Sequence, residues 1–225
     1  MKENTKRLLV VAPHPDDETF GCGGTILRAM REGSEVHWLI VTTMRGADEY
    51  TEQQVSDRES LIGAVAEAYG FAGVHQLGFP TARLDLVGLK TLVDGIGEVI
   101  AKTRPGQVFA PFRYDVHSDH RLVFDAVAAS SKWFRGSGIQ RILSYETLSE
   151  TDFCIDPASS FNPTVFIDVS SELPGKIEIL KLYPSEIGEH PFPRSAESSR
   201  SLAQLRGSQS GCRAAEAFQL IREIL

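Results

Sequence analysis

The sequence is poor in several features that would point elsewhere. It has three cysteines in 225 residues, Cys22, Cys154 and Cys212, far apart and with no CxxC pair. That argues against a disulfide scaffold and for a reduced, cytoplasmic setting. No apolar run approaches the ~20 residues that cross a bilayer. The start, MKENTKRLLVVAPHPDD, lacks the apolar stretch and cleavage site of a secretory signal. Positive charge is short as well: 23 Lys+Arg face 30 Asp+Glu, a net charge of −7. With no basic tract, nucleic acid and anionic membranes are not the expected partners. No repeat of 20–50 residues is visible, which disfavours solenoids and propellers. What is present, 42% apolar and 24% charged residues, suffices for a packed core.

Short apolar runs alternate with helix-like stretches. Leu8–Ala12, Val36–Thr43, Val74–Leu77, Gln107–Ala110, Arg141–Glu146 and Thr164–Val169 read as strands. Helical patterns fit Thr25–Arg31, Gln53–Tyr69, Leu86–Lys102, His120–Trp133 and Leu173–Leu182. Gly33, Gly70 and Pro105–Gly106 supply stops before the next strand. The alternation predicts an α/β fold, a Rossmann-like, mostly parallel sheet with helices on both faces. One domain over residues 1–225 is expected. Residues 184–225 read as an appended loop, rich in Pro and Ser, with a helical cap of two helices, Ser199–Leu205 and Ala214–Leu225. The apolar face of AEAFQLIREIL suits a contact between copies in a homo-oligomer, or packing on its own domain.

The chemistry gathers in two places. After the first strand, APHPDDETFGCGG carries His14, Asp16, Asp17 and Glu18 within five positions. Adjacent acids repel one another unless a cation or a helix N-terminus stabilises them. His14 and Asp17, three apart on a turning segment, could face one centre while Asp16 points elsewhere. After the fourth strand, PFRYDVHSDH carries His117, Asp119 and His120. Ligands of open parallel sheets bind at the carboxyl ends of the strands, so both loops lie at the functional edge. Two histidines and a carboxylate with an open position make a hydrolytic zinc site. His14, Asp17 and His120 could supply them, although spacing alone does not choose His120 over His117.

His14-Pro15-Asp16-Asp17-Glu18, paired with His117-Ser118-Asp119-His120, resembles the LmbE-like (PIG-L) zinc deacetylases, which remove N-acetyl groups from amino sugars and their conjugates. The likeness runs from Leu8 to about Asp168. It implies one Zn²⁺ per chain on His14, Asp17 and His120, though other divalent ions suit such a donor set. It implies Asp16 as general base, His117 as support for the tetrahedral intermediate or proton donor to the amine, and Asp119 as a carboxylate that orients a histidine. Arg58 aligns with an arginine of the substrate side. Two departures fall there: Pro80-Thr81-Ala82 stands where the family often has Pro-Asp-Gly, and Leu61 replaces a usual glutamate.

Each of these residues has a plainer reading. Asp17 could cap a helix, His120 could face solvent, and Glu18 suits the N-terminus of the following helix. Arg45, after the second strand, is an ordinary surface arginine or a contact for a substrate anion; Arg113 and Arg194 have less to recommend them. His37, His75 and His190 stand apart from any cluster and read as structural or surface residues. Cys22 reads as a packing residue, and Trp38 and Trp133 as core. The expected substrate is a small amino-sugar conjugate. A zinc amidase for a larger acyl or thiol conjugate is the nearer rival, and a non-catalytic sugar-binding protein the farther. A nicotinamide-dependent oxidoreductase is disfavoured, because carboxylates occupy the place a pyrophosphate would need.

Overall fold

A computed structural model describes residues 6–46, 49–154 and 156–225. The strands are β1 (Arg7–Ala12), β2 (Glu35–Thr43), β3 (Gly73–Pro80), β4 (Gln107–Pro111), β5 (Arg141–Tyr145), β6 (Val165–Asp168) and β7 (Ala215–Glu223). The α-helices are α1 (Asp17–Arg31), α2 (Glu52–Tyr69), α3 (Leu84–Val87), α4 (Leu89–Thr103), α5 (Ser118–Ser130), α6 (Leu173–Leu180) and α7 (Ala196–Ser210). The strands form one sheet in the order β3-β2-β1-β4-β5-β7-β6. The first five pair in parallel, and β7 runs antiparallel between β5 and β6.

The continuous apolar run of β1 is explained by helices on both faces. Leu8, Val10 and Ala12 pack on one side with Ile26 of α1, Ile62 and Val65 of α2 and Ile179 of α6. Leu9 and Val11 pack on the other with Leu92 and Ile96 of α4 and Val123 of α5. Fully burying a Val or Leu stabilises by about 1.5–3 kcal/mol, so β1 anchors both layers. Trp38 lies wholly inside the first layer. Among the described residues no helix is long and apolar enough to cross a membrane.

The end of the chain differs from the expected cap. Its first helix is present as α7, but Ala214–Leu225 is not helical: it is the strand β7. Ala215, Glu216, Ala217 and Phe218 are all buried, which no single amphipathic helix face would require. The pattern AEAFQLIRE is ambiguous at this length, and pairing with both β5 and β6 decides it. The segment's first residues pack within their own sheet, while Leu220 and Ile221 are exposed. Trp133, expected in the core, sits in a 3-10 turn and is 70% exposed, because α5 stops at Ser130. The helix expected over Leu86–Lys102 is divided at Gly88, whose φ of 82° suits glycine.

The first helix begins at Asp17, not Thr25, despite three glycines in its opening turns. Those glycines serve close packing. A Cβ on Gly21 would lie 2.2 Å from the Tyr145 ring, and one on Gly24 2.8 Å from Val169. The helix is broken at Cys22 (φ −146°), and the amides of Gly24 and Thr25 just beyond donate to the Glu216 carboxylate of β7. Glu216 also takes the Lys176 ammonium of α6, so the strand at the chain end secures the helix that follows the first loop.

Candidate active site

Strand order reverses between β1 and β4, and the loops that follow these two strands meet at the crevice so formed. Thr42 of β2 holds the first loop: its hydroxyl and its N–H both donate to the Pro13 carbonyl. The His14 N–H donates to Asp17 Oδ2 at 2.8 Å, which turns the chain into α1. In the second loop the Asp119 N–H donates to His117 Nδ1 at 3.1 Å, placing His117 as the N-cap of α5.

These turns bring His14, Asp17 and His120 together. His14 Nδ1 and His120 Nε2 each lie 3.3 Å from Asp17 Oδ2. Ligands about 2.0–2.1 Å from a tetrahedral zinc lie about 3.3 Å apart, so the spacing fits that ion. His120 Nε2 and Asp17 Oδ1 are buried without a hydrogen-bond partner, a costly condition unless a cation is their partner. The rings are held from behind: His120 Nδ1 by Asp115 at 2.7 Å and His14 Nε2 by Asp119 at 3.1 Å. Asp115 in turn accepts from the Thr151 hydroxyl, and Asp119 from the Ala82 and Leu84 amides. Such outer carboxylates set tautomer and ring orientation in histidine metal sites. A second trio, His14, His117 and Asp119, is also close enough to share an ion. Its Asp119 and His117 Nδ1 atoms are already occupied by hydrogen bonds, so the first trio fits better.

The electrostatics separate the residues by role. Burial opposes a charge on His14, but hydrogen bonds to Asp119 and Asp17 override it and raise its pKa to about 9. Burial likewise opposes the His120 cation, and Asp17 and Asp115 still hold its pKa well above the usual imidazole value. Both histidines thus carry protons that a divalent cation would displace. Burial opposes the charge of Asp17 too, yet His120 and His14 keep its pKa well below the usual carboxylate range. Asp16 differs: burial and the charge of Asp17 push its pKa up to about 6, against the pull of Arg194. Its Oδ2 accepts from Arg194 Nη1 at 2.8 Å, and its buried Oδ1 has no partner. Burial and the neighbouring His14 push His117 down to about 4, so its ring is neutral at pH 7. With Nδ1 accepting from the backbone, the neutral ring's proton lies on Nε2. Glu18 turns inward, accepting from Tyr183, Thr19 and the Asp16 amide, and burial pushes it to about 8.

A cavity of about 250 Å³ opens beside His14, Asp16 and His117, and Arg58 lines its wall. Arg45 is not brought to it: that side chain is 71% exposed and stands 3.8 Å from Glu59, while Thr43 and Met44 of the same stretch line the cavity. Arg194, which had little to recommend it in the sequence, is a wall residue in contact with Asp16. It comes from the Pro- and Ser-rich segment, where no periodicity reveals its direction. Asp115, which lay unremarked in the second loop, and Glu186 are the residues that sequence reasoning missed outright. Glu186 takes Arg58 Nη2 at 2.5 Å, from a segment far from Pro80-Thr81-Ala82, where the family pattern has an aspartate. Ala82 keeps the left-handed backbone (φ 55°) expected of the glycine it replaces, and its N–H is held by Asp119. His37 and His75 pair with one another outside this cavity, and Cys22 is a buried free thiol.

Comparison with known proteins identifies the family and the fold. The PIG-L family, described as GlcNAc-PI de-N-acetylase, matches residues 9–131. A diacetylchitobiose deacetylase of Thermococcus kodakarensis is 28% identical over 97% of this chain and 84% of its own length. The crystal structure of the conserved protein TT1542 from Thermus thermophilus superposes with a TM-score of 0.77 at 26% identity, covering 97% of this chain and 96% of that one. GalB, the 4-carboxy-2-hydroxymuconate hydratase of Pseudomonas putida, shares the fold at 21% identity, with a TM-score of 0.71 and 97% of each chain covered.

Proposed function

The chain belongs to the PIG-L family, and on that premise we propose that it is a zinc-dependent hydrolase that removes the N-acetyl group from an amino sugar or amino-sugar conjugate. The observation that carries this reading is the convergence of His14 Nδ1 and His120 Nε2 to 3.3 Å from Asp17 Oδ2, with partnerless buried atoms on His120, Asp17 and the adjoining Asp16. His120 Nε2 and Asp17 Oδ1 await a cation, and Asp16 Oδ1 awaits a proton. All three belong to a cluster beside a cavity of about 250 Å³.

His14, Asp17 and His120 would hold the ion, which supplies an acidified water and an electrophile for the amide carbonyl. Asp16 accepts the water's proton on Oδ1 while Arg194 fixes Oδ2, so the carboxylate does not rotate away. As oxygen adds to the carbonyl carbon, the Nε2–H of His117 donates a hydrogen bond to the developing oxyanion. The C–N bond breaks when the nitrogen takes the proton that Asp16 returns, while the neutral His117 keeps its Nε2–H as a hydrogen-bond donor, and acetate and a free amine leave. Asp119 and Asp115 keep His14 and His120 in register throughout. Three free cysteines and an acidic surface suit a cytoplasmic enzyme.

The decisive measurement is acetate and amine release from a panel of N-acetylhexosamine conjugates by zinc-loaded protein, beside Asp16→Asn. General-base help is worth about 10²–10⁴-fold in rate, so the variant should lose that much while retaining its metal. Equal release by both proteins would remove Asp16 from this role. Release only from bulkier acyl conjugates would move the assignment to an amidase of the same family.

A further inference from the structure

On the deacetylase reading above, we infer that the sugar bearing the acetamide carries no anionic group, and that Glu186 enforces this by neutralising Arg58 and adding its charge beside Arg194. An unpaired guanidinium is what a phosphate or carboxylate seeks in a binding site. Among the described residues, the cavity wall has two guanidinium groups, and both are paired. Arg58 donates to Glu186 Oε1 at 2.5 Å and to the Pro15 carbonyl at 3.2 Å. Arg194 spends Nη1 on Asp16, Nη2 on Glu150 and Nε on Ser149. Glu186 reaches it as well, with Oε2 3.6 Å from Nη1.

The charge balance points the same way. Among the described residues of the wall, and apart from His14 as a ligand of the proposed ion, the guanidinium groups of Arg58 and Arg194 face the carboxylates of Asp16, Glu59 and Glu186. Outside the wall, Arg45 stands beside Glu59, and Arg83, next in sequence to the wall residue Ala82, pairs with Glu49. A substrate anion brought to Arg58 would therefore meet the Glu186 carboxylate, and juxtaposed like charges select strongly against a ligand. The rest of the wall offers what an uncharged sugar uses. Thr43, Thr81, Gln76 and Tyr50 bring hydroxyl and amide groups, and Val55 and Ile62 bring an apolar surface. Glu186 lies in a turn after α6, held to the Tyr183 carbonyl, so its place is set by the segment and not only by the arginines.

The test compares three ligands on the zinc-loaded protein: the methyl glycoside of N-acetylglucosamine and the sugar's 1- and 6-phosphates. The wild type should hydrolyse the glycoside with a kcat/KM at least about tenfold above either phosphate. Glu186→Gln, which leaves Arg58 unpaired, should shrink that ratio by about tenfold. Arg58→Gln added to Glu186→Gln should restore it, and Glu186→Asp, which keeps the charge, should preserve it should Glu186→Gln fail to fold. Comparable turnover of a phosphate by the wild type, or an unchanged ratio in Glu186→Gln, overturns the inference. Absence of acetate from every ligand would count against the deacetylase reading alone. Calorimetric binding of the same ligands then decides charge selection: preference for the glycoside supports it, and equal binding overturns it.

Discussion

Two of the buried clusters of charge in the described structure are built on opposite terms. Under α1, Lys176 and Glu216 lie together at 2.6 Å, both almost wholly inside. Lys176 also donates to the Phe20 carbonyl, and Glu216 accepts the Gly24 and Thr25 amides. Neither side chain leaves an orphaned atom. At the crevice, Asp16, Asp17 and His120 are buried as deeply and yet keep three atoms with no partner. A closed set of hydrogen bonds holds a helix to a strand, whereas an open set is poised for something that arrives from outside. Burial of charge alone therefore does not mark a site; here the crevice is set apart by partnerless atoms on three neighbouring ionisable residues.

The contrast can be broken from the closed side first. Lys176→Met strands Glu216 as a buried, incompletely paired charge and should cost about 3–5 kcal/mol, read from the urea midpoint at pH 7. A cost below about 1 kcal/mol would show that the pair is not structural. On the open side the effect of pH comes next. Asp16 must be ionised to accept a proton, so acetate release should fall as pH drops through about 6. Arg194→Met withdraws a charge that favours that carboxylate, and the acid limb of the profile should move upward; an unmoved limb would detach Asp16 from it.

A smaller effect sharpens the comparison by its sign. The folded-state pKa of Asp16 is raised from 3.8 to about 6, so its contribution to stability is full below 3.8 and is lost as pH rises through about 6. At pH 8 the metal-free Asp16→Asn protein should therefore be more stable than wild type by about 1–2 kcal/mol, even as activity vanishes. Destabilisation there would mean that Asp16 belongs to the closed kind of cluster. Least of all should come from the surface: Lys90 and Asp94 pair on an exposed face of α4, and Asp94→Ala should cost no more than about 0.5 kcal/mol. A larger loss in thermal unfolding would show that exposed pairs count for more in this protein than the contrast allows.

Much of this was legible in the chain. The apolar runs at Leu8–Ala12 and Val36–Thr43 announced strands covered on both faces, and alternation with helices implied the parallel half of the sheet. Both loops that bear the site were legible as well, because residue type and strand-end position are local facts. The start of α1 was not legible, since Gly21, Gly23 and Gly24 lower helix propensity and the side chains packed on them, Tyr145, Tyr69 and Val169, lie far along the chain. The last segment misled too, since AEAFQLIRE satisfies a helix as readily as a strand until β5 and β6 take it from both sides.

By itself the sequence determined the alternation of strands and helices and the two loops that meet at the crevice, because periodicity and strand-end chemistry need only near neighbours. Only the tertiary structure decided which groups lack partners and which arginines are spent. Glu186 and Arg194 reach the cavity from a segment whose direction no local rule sets, and a charge is free or neutralised according to what lies across space from it.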